Sequence, residues 1–187
     1  ERMRRRYTIM AAVVSALSLT FTGGLLADGG DGGKGKKKGK KPANVIILPG
    51  DNVFPEGIAT RGNSIFSGGA RSGTIYVASR KAGSTASVFS PGGGADGRTA
   101  ALGMKFTKSG LLVVASGPTG AVFVLDKTGA TVGKYTNAGV YAPGGPTFLN
   151  DVTITKNGDA YITDSMAAVI YKIPAADLAA PKLDGKL

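Results

Sequence analysis

With 30 glycines in 187 residues and 42% hydrophobic side chains, the chain has turns in abundance and enough apolar surface for a packed core. It has no cysteine and no histidine, which excludes disulfides, zinc fingers, haem ligation through imidazole and a Ser-His-Asp triad. The formal charge of +11 is local: from Ala43 onward 13 Lys/Arg stand against 9 Asp/Glu, a balance of +4, so the strong basicity belongs to the first 42 residues.

Arg4-Arg5-Arg6 precede a largely apolar stretch from Ile9 to Ala27. A basic segment followed by an apolar one reads as a secretory signal peptide, with Ala27 as the small residue before cleavage. About 19 residues also suffice to span a bilayer. Residues 1–27 are therefore expected to be helical, and either a cleaved signal of a secreted protein or an anchor that holds it at the membrane. Residues 28–42, DGGDGGKGKKKGKKP, carry six lysines and almost no apolar side chain. Such a segment cannot bury enough surface to offset its ordering entropy, which makes it a flexible linker. Membrane contact is expected through residues 1–42 alone. Nucleic acid is not an expected partner, because no aromatics interleave with the lysines.

Residues 43–174 read as the folded domain. VIIL at 45–48 is expected to be a first strand, and three similar units follow. Gly57-Ile58-Ala59 leads through Arg61-Gly62-Asn63 into SIFSG. Gly103-Met104-Lys105-Phe106 leads through Lys108-Ser109-Gly110 into LLVVAS. Asp151-Val152-Thr153-Ile154 leads through Lys156-Asn157-Gly158 into AYIT. The copies start 46 and 48 residues apart, a period that with short strands and glycine turns marks β-propeller blades. Asn157-Gly158 has the chemistry of a tight hairpin in which both residues take positive φ. Later strands are expected at 73–78, 121–125 and 169–173, with a fourth at 130–135 in the middle unit. The glycine-, serine- and proline-rich residues 82–99 read as a loose surface connection around a short strand, residues 87–89. Residues 141–146 read as a second such loop. Residues 175–187 show no strand pattern and are expected to fray. The fold class is all-β, an open ring of about three blades, with exposed sheet edges that invite self-association.

Three residues are candidates for chemistry. Glu56 stands directly before the first strand of its unit, and Asn150-Asp151 stand at the mouth of the third. At equivalent blade positions such oxygen ligands converge near a propeller's central channel, where they suit a hard cation. The alternative for Asn150 and Asp151 is that they satisfy local turn backbone.

FPEGIA at 54–59, GMKFTKSGLLVVA at 103–115 and FLNDVTITKNGDAYITDS at 148–165 resemble the SMP-30/gluconolactonase/LRE-like superfamily, in matching order and spacing over residues 45–174. The resemblance implies a six-bladed propeller, related to enzymes that hydrolyse sugar lactones with one divalent metal in the channel. By motif Glu56 corresponds to the family's first metal ligand and Asn150 to a substrate-binding asparagine, with Asp151 beside it. The family's other ligands, an asparagine and an aspartate that also moves the proton, lie in later blades that this sequence does not reach. The aromatic that usually follows the glutamate is replaced by Ile58-Ala59.

Two function classes stand. One is a metal-dependent lactonase-type hydrolase with a cation (Ca²⁺, Mg²⁺ or Zn²⁺) weakly held by Glu56 and a lactone or sugar-like ligand at Asn150 and Asp151. It would lack its general base, so no catalytic residue is assigned and no catalysis is expected. The other is a non-catalytic secreted module that binds a ligand or partner. Haem and nucleotide cofactors are not expected. A superoxide dismutase activity, a label carried by some relatives, is discounted because the imidazole ligands of such sites are missing.

Overall fold

A computed structural model of the chain describes residues 44–94, 96–138 and 146–187. The signal-like segment, the basic linker and residues 141–145 of the second loop lie outside them. Three antiparallel sheets follow one another along the sequence. Blade 1 is β1 (Pro55–Arg61), β2 (Ser64–Gly69), β3 (Ile75–Ser79) and β4 (Ser87–Ser90), in that spatial order. Blade 2 is β5 (Met104–Phe106), β6 (Leu112–Ala115), β7 (Ala121–Leu125) and β8 (Thr131–Thr136). Blade 3 is β9 (Leu149–Ile154), β10 (Ala160–Asp164) and β11 (Ile170–Ile173). Each strand pairs with the next in sequence, the meander that short glycine turns dictate.

The turns explain the repeat. At Thr107, Asp126 and Thr155 the residue's N–H donates to the carbonyl four residues on, at 2.8, 2.9 and 2.9 Å. Three residues on, Gly110, Gly129 and Gly158 donate back to those residues' carbonyls with φ of 90°, 86° and 98°. A turn closed by a left-handed glycine is the three-residue hairpin loop, and a side chain there would be strained. The tight Asn-Gly form expected at 157–158 is not adopted. Among the described residues only Asn52 and Phe54 are non-glycines with positive φ, so Asn157 is not in the left-handed region.

Two apolar layers join the blades. Ala59, Phe66 and Ile75 of blade 1 pack with Met104, Leu112, Val114, Phe123 and Leu125 of blade 2. Phe66 meets Phe89 and Phe106 edge-on, with centroids 5.0 and 4.9 Å apart. The other face of blade 2, through Val113, Ala115, Val122, Val124 and Tyr135, packs on Leu149, Val152, Ala160, Ile162, Tyr171 and Ile173 of blade 3. Glycine lets the inner strands approach: a Cβ on Gly103 would lie 2.4 Å from the Asp151 Cα, and the Gly103 N–H donates to the Asn150 carbonyl at 2.7 Å.

Three expectations are corrected. The VIIL run is not a strand; it makes one parallel bridge, Ile47 to Thr85. Pro49-Gly50 ends it, and its alternate residues Ile46 and Leu48, with Val53, cover Tyr76 and Ala78 on the outer part of blade 1. The connection within residues 82–99 is not loose. Arg98 is fully buried in it, donating to the carbonyls of Gly73 and Pro91 at 2.8 and 2.9 Å and to Ser90 Oγ at 2.7 Å. The C-terminal tail does not fray. A short helix α1 (Ala175–Ala179) buries Leu178 in the layer between blades 2 and 3, and β12 (Gly185–Lys186) pairs in parallel with β8. Backbone satisfaction at the β8 edge, rather than an alternating pattern, makes that strand. Among the described residues no helix is long and apolar enough to cross a membrane.

Candidate functional site

The inner strands β1, β5 and β9 bring Glu56, Asn150 and Asp151 to one cleft of about 550 Å³. Its floor is the close-packed backbone at Gly57 and Gly103. In β1 a bulge between Glu56 and Ile58 interrupts the pairing with β2, and Gly57 takes φ of 60° within it. Bulges re-aim a side chain beside a site. Glu56 is exposed, and its carboxylate has no hydrogen-bond or ion-pair partner among the described residues.

Asn150 and Asp151 are held by the stretch that follows them. The Asn150 Nδ2 donates to Ser165 Oγ at 3.0 Å, which leaves its Oδ1 as an acceptor. The Asp151 N–H donates to Thr163 Oγ1 at 3.2 Å, and the Phe148 N–H donates to Asp164 Oδ1 at 2.8 Å. Thus Phe148-Leu149-Asn150-Asp151 and Thr163-Asp164-Ser165 zip together across β9 and β10. One Asp151 oxygen, Oδ1, accepts the Val152 N–H at 2.8 Å. Asp151 therefore spends part of its capacity on local backbone, while Oδ2 remains for a ligand.

Two residues were missed in the sequence. Lys105, in β5, lines the same cleft and is exposed there. Its signal was a cation in an otherwise apolar inner strand. Asp164, 7% exposed, also accepts from Thr147 Oγ1 at 2.5 Å and from the Met166 and Ala167 N–H groups at 2.9 and 3.2 Å. Burial pushes its pKa up, but hydrogen bonds from Thr147, Phe148, Met166 and Ala167 outweigh that and hold it below the usual carboxylate value. Asp164 faces the turn after β10, not the cleft; it fixes the strand mouth that presents Asn150.

The donors suit a hard cation in kind, being carboxylate and amide oxygens. They are few: among the described residues no three His, Cys, Asp or Glu side chains are grouped closely enough to hold a metal ion. The Lys105 ammonium adds a competing positive charge.

No protein-family model matches the chain, and no curated protein matches it. Solved structures do. The crystal structure of selenomethionine-substituted virginiamycin B lyase from Staphylococcus aureus superposes with a TM-score of 0.51 and 14% identity, over 68% of this chain and 43% of that one. The fold is an arc of β-propeller blades. A Myxococcus xanthus glutaminyl cyclase structure is similar over 73% of this chain and 51% of its own, with 18% identity and a TM-score of 0.48. The chain spans about half or less of the length of either. At these identities the likeness is one of fold, and propellers host many functions.

Proposed function

We propose that this propeller arc binds a small hydroxylated ligand, a lactone or the hydroxy acid derived from one, in the inner-strand cleft and does not turn it over. The observation that carries the reading is that Glu56 in blade 1 and Asn150 and Asp151 in blade 3 open onto one cleft from strands two blades apart. Glu56 would hold a divalent cation, which when bound polarises a ligand carbonyl. Asn150 Oδ1 accepts from a ligand hydroxyl, Asp151 Oδ2 does the same, and Lys105 pairs with a carboxylate. With Glu56 given to the cation and Asp151 to a ligand hydroxyl, this reading leaves neither carboxylate of the cleft for a general base. The resemblance to SMP-30/gluconolactonase-like proteins supports this ligand class, and residues 1–27 support export as the route by which the protein meets it.

Calorimetric titration of the full chain with Ca²⁺, Mg²⁺ and Zn²⁺ tests the reading. With few charged donors, dissociation constants of roughly 10⁻⁴–10⁻³ M are expected, weakened further in Glu56→Gln. Micromolar binding that Glu56→Gln abolishes, accompanied by lactone hydrolysis, would establish a working hydrolase instead.

A further inference from the structure

Each blade turns from its first strand to its second on the same side of the arc, and the three turns are linked. The Arg61 guanidinium donates to the Gly110 carbonyl at 2.9 Å, and the Lys108 ammonium donates to the Lys156 carbonyl at 2.6 Å. The Arg80 N–H donates to the Asn63 carbonyl at 2.9 Å, which sets Arg80 and Lys81 beside the first turn. Leu125 pairs with Leu112, so Lys127 leaves blade 2 at the same strand ends as Lys108. All six of these cations are exposed, and among the described residues none of them meets a carboxylate. The acidic groups nearby offset them little. Asp126 accepts from the Thr128 and Ala130 N–H groups of its own turn, and Asp159 pairs with Lys172 at 2.7 Å. Asp177 of α1, half-buried, adds one opposing charge.

The chain also enters the blades there. The Gly83 N–H donates to the Val45 carbonyl at 2.9 Å and Ile47 bridges Thr85 in parallel, so residues 45–48 start beside the turn that carries Arg80 and Lys81. The lysines of residues 34–41 come just before in sequence, and the three residues from Lys41 to Asn44 reach at most roughly 11 Å. The cleft carboxylates stand at the opposite strand ends. Glu56 lies near the start of β1 and Arg61 closes it; Asp151 lies near the start of β9, which ends just before Lys156. Along its inner strands the arc is thus polarised, with Glu56 and Asp151 at one end and the basic turns at the other.

We propose that this basic end is a docking face for a bilayer surface rich in anionic headgroups, with the blades adding to the contact that residues 1–42 make. Charge complementarity and continuity single out that occupant. The apolar residues 9–27, the run of lysines and the basic end of the blades follow one another along the chain. Clustered Lys and Arg beside an apolar segment are what an anionic leaflet attracts. Turns from three neighbouring blades spread the cations over an area rather than along a groove, which fits a planar layer of headgroups better than a single acidic strand. Docked this way, the cleft faces away from the membrane and stays open to its ligand. The inference does not rest on the ligand assigned to the cleft.

A dye on the first turn of the full chain tests it, with circular dichroism to confirm that each variant is folded. The chain has no cysteine, so Asn63→Cys takes a single environment-sensitive dye that brightens only on contact with headgroups. The dye reports the turn itself, whether or not residues 9–27 insert. Brightening is expected on vesicles of mixed phosphatidylcholine and phosphatidylglycerol and not on phosphatidylcholine alone. Lys81→Glu together with Lys156→Glu should shift the balance between contact and release about 20-fold or more, at about fivefold for each cation withdrawn. Lys182→Glu together with Lys186→Glu changes the net charge equally, at exposed positions along the edge of β8, and should leave most of the contact in place. Brightening on phosphatidylcholine alone, a first pair that behaves as the wild type, or equal loss in the two pairs would each overturn the proposal. No brightening on the mixture, with dextran sulfate bound instead, would overturn it in favour of a soluble polyanion.

Discussion

Among the described residues blade 2 is covered on both faces and blade 3 on one, and their strands are composed accordingly. Every residue of Leu112–Ala115 and Ala121–Leu125 is buried, whereas in Ala160–Asp164 buried residues alternate with Tyr161 and Thr163. A strand packed on both sides has no use for alternation, and a strand packed on one side requires it. The middle blade thus holds the arc together, and the third presents its polar side at the end of it.

The contrast is sharpest in paired substitutions. Phe123→Ala opens a cavity where no collapse is easy and removes the ring beneath Lys134, whose Nζ lies 5.3 Å from its centroid. It should cost about 3–5 kcal/mol in denaturant unfolding. Ile170→Ala in blade 3, where the side chain is 66% exposed, should cost less than about 0.5 kcal/mol. Equal losses would mean the two blades are equally buried.

Gly103→Ala probes the joint between them. The added methyl meets the Asp151 Cα and the Asn150 carbonyl as well as Asp151 Oδ1, and since backbone cannot yield as a side chain can, the inner strands must part, at about 1–3 kcal/mol. Thermal unfolding measures it; a neutral result would show that the strands do not touch there.

A smaller effect distinguishes the strand mouth of blade 3. The folded-state pKa of Asp164 lies below its ordinary value, so its contribution is present above about pH 4 and is lost as pH falls through the folded value. Asp164→Asn should remove part of that acid slope and cost about 1–2 kcal/mol at neutral pH. An unchanged acid limb would show that the four donors around Asp164 do not bind its charged form.

The same two blades show what was legible in the sequence. The unbroken LLVVA and AVFVL runs and the glycine turns yielded the strands of blade 2 within one residue. The cleft residues were legible because each precedes or opens an inner strand at matching positions of the repeat. What escaped depends on distant partners. VIIL has strand composition but only Thr85 opposite it, and Gly185-Lys186 has none of that composition but finds the open edge of β8. Arg98 sits in a glycine-rich stretch whose composition suggests solvent, yet its burial follows from acceptors in residues 73–91 that no local pattern announces. Lys105 was visible as a cation but not as a neighbour of Asn150, since that nearness arises from the packing of β5 on β9.

The central claim is that β1, β5 and β9 present one shared cleft. Following backbone amide resonances during titration with Ca²⁺ tests it most directly. Glu56, Lys105, Asn150 and Asp151 should shift together along one saturation curve, while Asp126, in the outer turn of blade 2, stays still. Separate curves for Glu56 and Asn150, or shifts confined to one blade, would contradict a common site.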